Sequence, residues 1–166
     1  IRKRLDNLSL VSRALKGFSR YASGQDRLLV LIDYTKPSTE KRFYILDLLQ
    51  KKLLLSTYVA HGRGSGDNYA VAFSNRPGSY QSSLGFFRTG DTYMGKNGYS
   101  LFLDGLEKGI NDKARERAIV VHGANYADPA VLKGQQRLGR SLGCPALPPD
   151  ISKQVIDTIK GWTAAR

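Results

Sequence analysis

Apolar residues near the start of the chain recur at three- and four-residue steps, as Leu5, Leu8, Val11, Leu15 and Phe18, with Lys and Arg between them. That spacing predicts an amphipathic helix over residues 3–22, with Gly24 as its stop. A basic amphipathic helix can lie on a membrane surface, but packing of its stripe on a sheet is the expected use. The pattern then changes to apolar runs of strand length. Segments 28–34, 42–49 and 53–60, separated by Lys36-Pro37-Ser38-Thr39 and Gln50-Lys51-Lys52, predict a three-stranded antiparallel meander.

Residues 70–103 alternate short apolar segments with the turn signals Asn75-Arg76-Pro77-Gly78, Thr89-Gly90-Asp91 and Lys96-Asn97-Gly98, as hairpins and a covering flap would. Tyr80, Phe86, Phe87, Tyr93, Tyr99 and Phe102 fall here, most of them expected in the core and one or two lining a groove. The charged run 111–117 reads as a linker or helical turn leading to Ala118-Ile119-Val120-Val121-His122-Gly123, an apolar strand that ends on a histidine. Pro148-Pro149-Asp150 opens a C-terminal helix with apolar positions Ile151, Val155, Ile156, Ile159 and Trp162.

These elements place the chain in the α+β class, mainly β, with an N-terminal and a C-terminal helix packed on the strands. The expected division is a helical segment over 1–24 and a body over 25–166, together one domain. A length of 166 residues with 41% hydrophobic content suits a single core. The longest apolar runs are strand-sized, far short of the roughly 20 residues that span a bilayer, so no transmembrane segment is expected. The opening Ile1-Arg2-Lys3-Arg4-Leu5 lacks Met and an apolar signal core, which is the expectation for a processed or trimmed chain.

A net charge of +12 predicts attraction to a polyanion. The charges are spread along the chain and the aromatics form no Lys/Arg-Gly-Phe-Gly-Phe block, so nucleic acid is not the expected partner. The glycine-rich stretch 61–67 lacks the Gly-Lys-Ser/Thr ending of a phosphate loop and reads as a flexible loop after a strand. No His/Cys cluster has metal-ligand spacing, so no metal or other cofactor is expected.

Chemistry centres on Cys144, the single cysteine, which excludes an internal disulfide. A lone cysteine is more often a small buried hydrophobe. This one lies between Arg140-Ser141-Leu142-Gly143 and the proline-rich 145–149, a loop context in which reactive groups are displayed. A thiolate is the nucleophilic form, and an imidazole such as His122 can take its proton and return it to a leaving amine. His61, the second histidine, is a rival base ranked below His122, reading equally as a cleft-lining or a plain surface residue.

The order apolar strand, His122-Gly123, a loop of about twenty residues, then Ser141-Leu142-Gly143-Cys144 resembles the signature of the L,D-transpeptidase (YkuD-type) catalytic domain. Arg76-Pro77-Gly78-Ser79-Tyr80 resembles that family's Pro-x-Gly-x-Phe hairpin, and the wider pattern, including Ser82-Ser83-Leu84-Gly85 and Val121-His122-Gly123-Ala124, is similar to a divergent murein branch found in Gram-negative bacteria. Leu142 stands where the common form has a second histidine, and Pro145-Ala146 where many members carry an apolar residue and then Arg or Asn; Arg140 or Arg137 is the expected replacement cation.

The resemblance implies a mixed β-sandwich or barrel and cysteine-dependent acyl transfer on peptidoglycan stems. Cys144 would be the nucleophile, His122 the base and the Gly123 carbonyl its orienting group. Gly143 and Cys144 N–H groups would form the oxyanion hole, Ser141 would shape the loop, and Arg140, His61 and Tyr80 would contact substrate. Donor and acceptor stems are the implied partners, in the periplasm or cell envelope, with a monomer expected. The alternatives are a catalytically weak peptidoglycan-binding module and a basic nucleic-acid-binding domain.

Overall fold

A computed structural model describes residues 7–22, 26–161 and 164–165. Leu5, Gly24 and Trp162, used above for the helix start, the helix stop and the last apolar position of the tail, lie outside the described residues. Helix α1 spans Leu8–Tyr21, and the Asn7 side chain caps it by accepting from Leu10 N at 3.1 Å. Its buried face is Leu10, Val11, Ala14 and Gly17, while Leu8 is exposed. The stripe is therefore turned from the one expected: Leu10 and Ala14 join Val11 against Leu29, Leu31, Tyr44 and Leu46, Leu15 and Phe18 pack at its margin, and Gly17 leaves room for the Phe86 ring, which occupies the space its Cβ would take.

The meander is as expected. Strands β1 (Leu28–Ile32), β2 (Phe43–Asp47) and β3 (Lys52–Thr57) pair antiparallel. Strands β4 (Phe87–Gly95) and β5 (Gly98–Gly105) form a hairpin turned by Lys96-Asn97, with Gly98 at φ +84°. Strand β6 (Val120–Gly123) pairs antiparallel with β5, and the short β7 (Ala146–Leu147) runs parallel to β6. Helix α2 (Pro149–Ile159) starts on the proline pair and precedes β8 (Ala164–Ala165). Sheet order is β3-β2-β1-β8-β4-β5-β6-β7.

Side chains of β1 alternate between two cores, which is why the strand is apolar throughout. Leu29 and Leu31 join Tyr44, Leu46 and the α1 face; Val30 joins Phe43, Ile45, Leu101, Val121 and the α2 residues Val155, Ile156 and Ile159. Beyond β3, Ala60 bridges Ala146 of β7 and Gly62 bridges Ser141, so the two edges of the sheet meet and it curls into a barrel-like body. Helices on the two cores and this closure agree with the mainly β sandwich or barrel with two packed helices. The edge-to-edge seam is where the cysteine loop lies.

Candidate active site

Parallel pairing of β6 with β7 sets His122 opposite Ala146, two residues past Cys144. The ladder thus carries the thiol to the start of β6 and the imidazole to its end. Cys144 Sγ accepts from Val120 N at 3.4 Å and donates to the Ala118 carbonyl at 3.3 Å. Ala118 holds φ +55°, a left-handed conformation in which a Cβ is strained, as the chain leaves the 111–117 turn. Both Cys144 and His122 are buried at the base of a cleft of about 340 Å³, also lined by Tyr93, Lys96, Arg117, Tyr126, Arg140 and Leu142.

His122 Nδ1 lies 2.9 Å from the Gly123 carbonyl. A carbonyl only accepts, so Nδ1 carries the proton and Nε2 keeps its lone pair. Burial holds the His122 pKa below its usual 6.5, against the opposing bond to Gly123. Burial pushes the Cys144 thiol up, opposed by the Val120 N–H and the positive charges of Arg117 and Lys96. Both shifts favour a neutral imidazole and a neutral thiol at rest, lining the same cleft.

The cysteine loop is held from both sides. Ser141 N donates to His61 O at 2.9 Å, Arg63 N donates to Ser141 O at 2.8 Å, and Ser141 Oγ donates to the Cys144 carbonyl at 2.6 Å. Gly143, at φ +132°, fits where a Cβ would meet Ile119 Cδ1 at 2.8 Å and Gln81 O at 3.0 Å.

A model of the L,D-transpeptidase catalytic domain matches residues 3–164. The chain belongs to that family. No curated protein sequence matches it. Among solved structures, this L,D-transpeptidase domain is similar to the helical cell shape determining protein Pgp2 from Campylobacter jejuni, with a TM-score of 0.55 and 14% identity over 86% of this chain and 47% of that one. An L,D-transpeptidase from Mycobacterium smegmatis gives 0.49 at 12% identity, over 84% and 58%. The LD transpeptidase LdtMt1, solved in complex with imipenem, gives 0.49 at 13%, over 85% and 58%. The chain spans about half the length of these structures, and at 14% identity the likeness to Pgp2 is one of fold.

Within this L,D-transpeptidase domain, Cys144, His122, Ser141 and Arg140 come together in the cleft, and Gly123 and Gly143 support them. Arg140 is tied to the Asp67 carboxylate at 3.0 Å. Three expectations change. His61 does not line the cleft: it is buried, its Nδ1 2.9 Å from Arg42 Nη2 and its Nε2 3.1 Å from the Gly66 carbonyl, and burial followed by the Arg42 charge lowers its pKa to about 4. Arg42 must donate and Gly66 O must accept, so both ring nitrogens are committed and none serves a thiol. Tyr80 also stands outside the cleft lining, its ring stacked on Arg63 with 4.4 Å from guanidinium to centroid. Gly143 N–H donates to Ser141 Oγ at 3.1 Å and is not free for an oxyanion.

Arg137, the other candidate cation, donates to the Leu138 carbonyl and is absent from the lining. A cation that acts on the Cys144 thiol is Arg117, which the charged run 111–117 concealed. Its guanidinium donates to Ser74 O at 2.7 Å, Ser83 Oγ at 2.8 Å, Gln81 O at 2.8 Å and Ser79 Oγ at 3.2 Å, pinning the 74–83 loop beside the cleft. Of the aromatics between 80 and 102, Tyr93 is the one in the lining. Among the described residues, no three His, Cys, Asp or Glu side chains gather as a metal site.

Proposed function

We propose that this domain performs cysteine-dependent acyl transfer on peptidoglycan peptide stems. The observation that carries the reading is the His122 Nδ1 bond to the Gly123 carbonyl beside a cysteine in the same cleft, which leaves Nε2 as the base. Cys144 Sγ attacks the carbonyl carbon of the third, diamino acid residue of a tetrapeptide stem while its proton passes to His122. The tetrahedral adduct collapses, the C–N bond breaks, and His122 returns the proton to the departing D-Ala amine. An amine of a second stem then resolves the thioester to a 3→3 crosslink; water in its place gives a carboxypeptidase or endopeptidase.

Because burial keeps Cys144 protonated, a neutral base at the moment of attack suits this chemistry better than a standing thiolate. The Cys144 N–H makes no hydrogen bond among the described residues and is the donor offered to the oxyanion. Three cations and no carboxylate side chain line the cleft, which favours a ligand bearing free carboxylates, as stem peptides do. A wall substrate supports a location in the cell envelope, on the periplasmic side.

Intact-mass spectrometry after incubation with a carbapenem tests the reading. Wild type is expected to gain one acyl adduct and Cys144→Ala none. Sacculus binding by a wild type that never acquires an adduct would make the domain a binding module instead.

A further inference from the structure

Ser82 is buried beneath the nucleophile loop, sixty-one positions before the glycine it touches. Its Oγ donates to the Gly143 carbonyl at 3.1 Å and accepts from Gly62 N at 2.9 Å. Its own N–H is anchored on Ser65 Oγ at 2.9 Å. Gly62 N–H can only donate, so the hydroxyl accepts there and its single proton goes to Gly143 O.

No peptide in the described chain is cis. The carbonyl of Gly143 and the N–H of Cys144 belong to one planar trans unit and point in opposite directions. Ser82 lies on the core side, lining a small apolar cavity with Val30, Phe87 and Ile119, so fixing the carbonyl there turns the Cys144 N–H the other way. Ser141 Oγ binds the neighbouring groups, Gly143 N–H and Cys144 O, from its own side. Two hydroxyls thus consume the polar groups of this turn and leave Cys144 N–H over.

We propose that Ser82 is a positioning residue that aims the Cys144 N–H at the oxyanion of the acylation step; this rests on the acyl-transfer reading above. In that step the Sγ–C bond forms, the carbonyl π pair localises on oxygen as the thiol proton moves to His122, and the Cys144 N–H receives the new charge. Ser82 touches neither substrate nor sulfur and acts through the Gly143 carbonyl.

The test compares two reactions of one thiol. Carbapenem acylation passes through an oxyanion; alkylation by iodoacetamide displaces iodide at carbon and needs none. For Ser82→Ala, acylation is expected to fall about 10–100-fold, below the loss typical of deleting an oxyanion donor outright. Alkylation is expected to stay within about twofold, and Ser82→Thr, which keeps the hydroxyl, to recover most of the acylation rate. Parallel losses in both reactions, or no loss in either, would overturn the proposal while leaving the acyl-transfer reading intact; a wild type that alkylates but never acylates would overturn both. If Ser82→Ala does not fold, the same rate ratio in Ser82→Gly decides.

Discussion

Gly62 and Gly143 lie backbone against backbone at the seam where the sheet edges meet: a Cβ on Gly62 would stand 2.8 Å from Gly143 Cα and closer still to the Tyr80 carbonyl. Neither neighbour is the end of a flexible side chain. Gly62→Ala is expected to cost about 2–4 kcal/mol of stability by overpacking and to abolish adduct formation at Cys144. Gly134→Ala, with open space around it, is the matched control and should unfold like wild type. Urea denaturation of the two variants checks this.

Arg117 both ties down the 74–83 loop and lowers the Cys144 thiol pKa by its charge. Arg117→Met should raise that pKa and slow alkylation at neutral pH, roughly tenfold for every pH unit by which the thiol titrates later. A pH–rate profile for iodoacetamide measures it directly; an unmoved profile would show that Arg117 only holds the loop.

Acylation should retain its base at mildly acidic pH. Burial favours neutral imidazole at His122, so the acid limb of the rate profile should fall below the ordinary histidine value of 6.5. Because burial keeps the thiol protonated, the rate should then hold level through neutral pH rather than follow thiolate formation. An acid limb at or above 6.5 in carbapenem acylation would contradict this arrangement.

His61 gives stability its own pH dependence. Its pKa is about 4 in the fold and near 6.5 when unfolded, so between those values the unfolded chain binds more protons. The contribution is present above pH 6.5 and lost as pH falls towards 4, with an upper bound of about 3 kcal/mol. Equilibrium unfolding across that interval should slope for wild type and flatten for His61→Gln.

Lys96, at the tip of the β4–β5 hairpin, lines the cleft and has no hydrogen-bond or ion-pair partner among the described residues, whereas Arg117 and Arg140 are already engaged. Lys96→Glu should raise KM for a carboxylate-bearing stem peptide about tenfold and leave kcat within about twofold. A change confined to kcat would place Lys96 in the chemistry rather than in binding.

That the cysteine and His122 would share one cleft was readable because each carries its own local signal: a histidine closing an apolar strand and a cysteine in a glycine–proline loop. The three-stranded meander and the Pro149 helix start were readable for the same reason, since apolar period and proline placement are local. Residues that work through distant partners were not. Arg117 sits in a run that resembles a solvated face, and only the folded 74–83 loop supplies its four acceptors. His61 became structural because Arg42, nineteen residues earlier, donates to it inside the barrel. Ala164–Ala165 has no strand-like pattern; its pairing is imposed by two edges built long before it.

That pairing has a consequence for how the molecule comes into being. Leu29 and Arg88 find no common strand until Ala164 arrives to pair with both, parallel to one and antiparallel to the other. During synthesis the β1–β3 and β4–β7 halves can first join only at the seam beside the cysteine loop, through Ala60–Ala146 and Gly62–Ser141, and the β1–β4 side closes only after residue 165 has left the ribosome. A nascent chain stalled before that point would hold its thiol in a sheet joined on the cysteine side alone and open between β1 and β4.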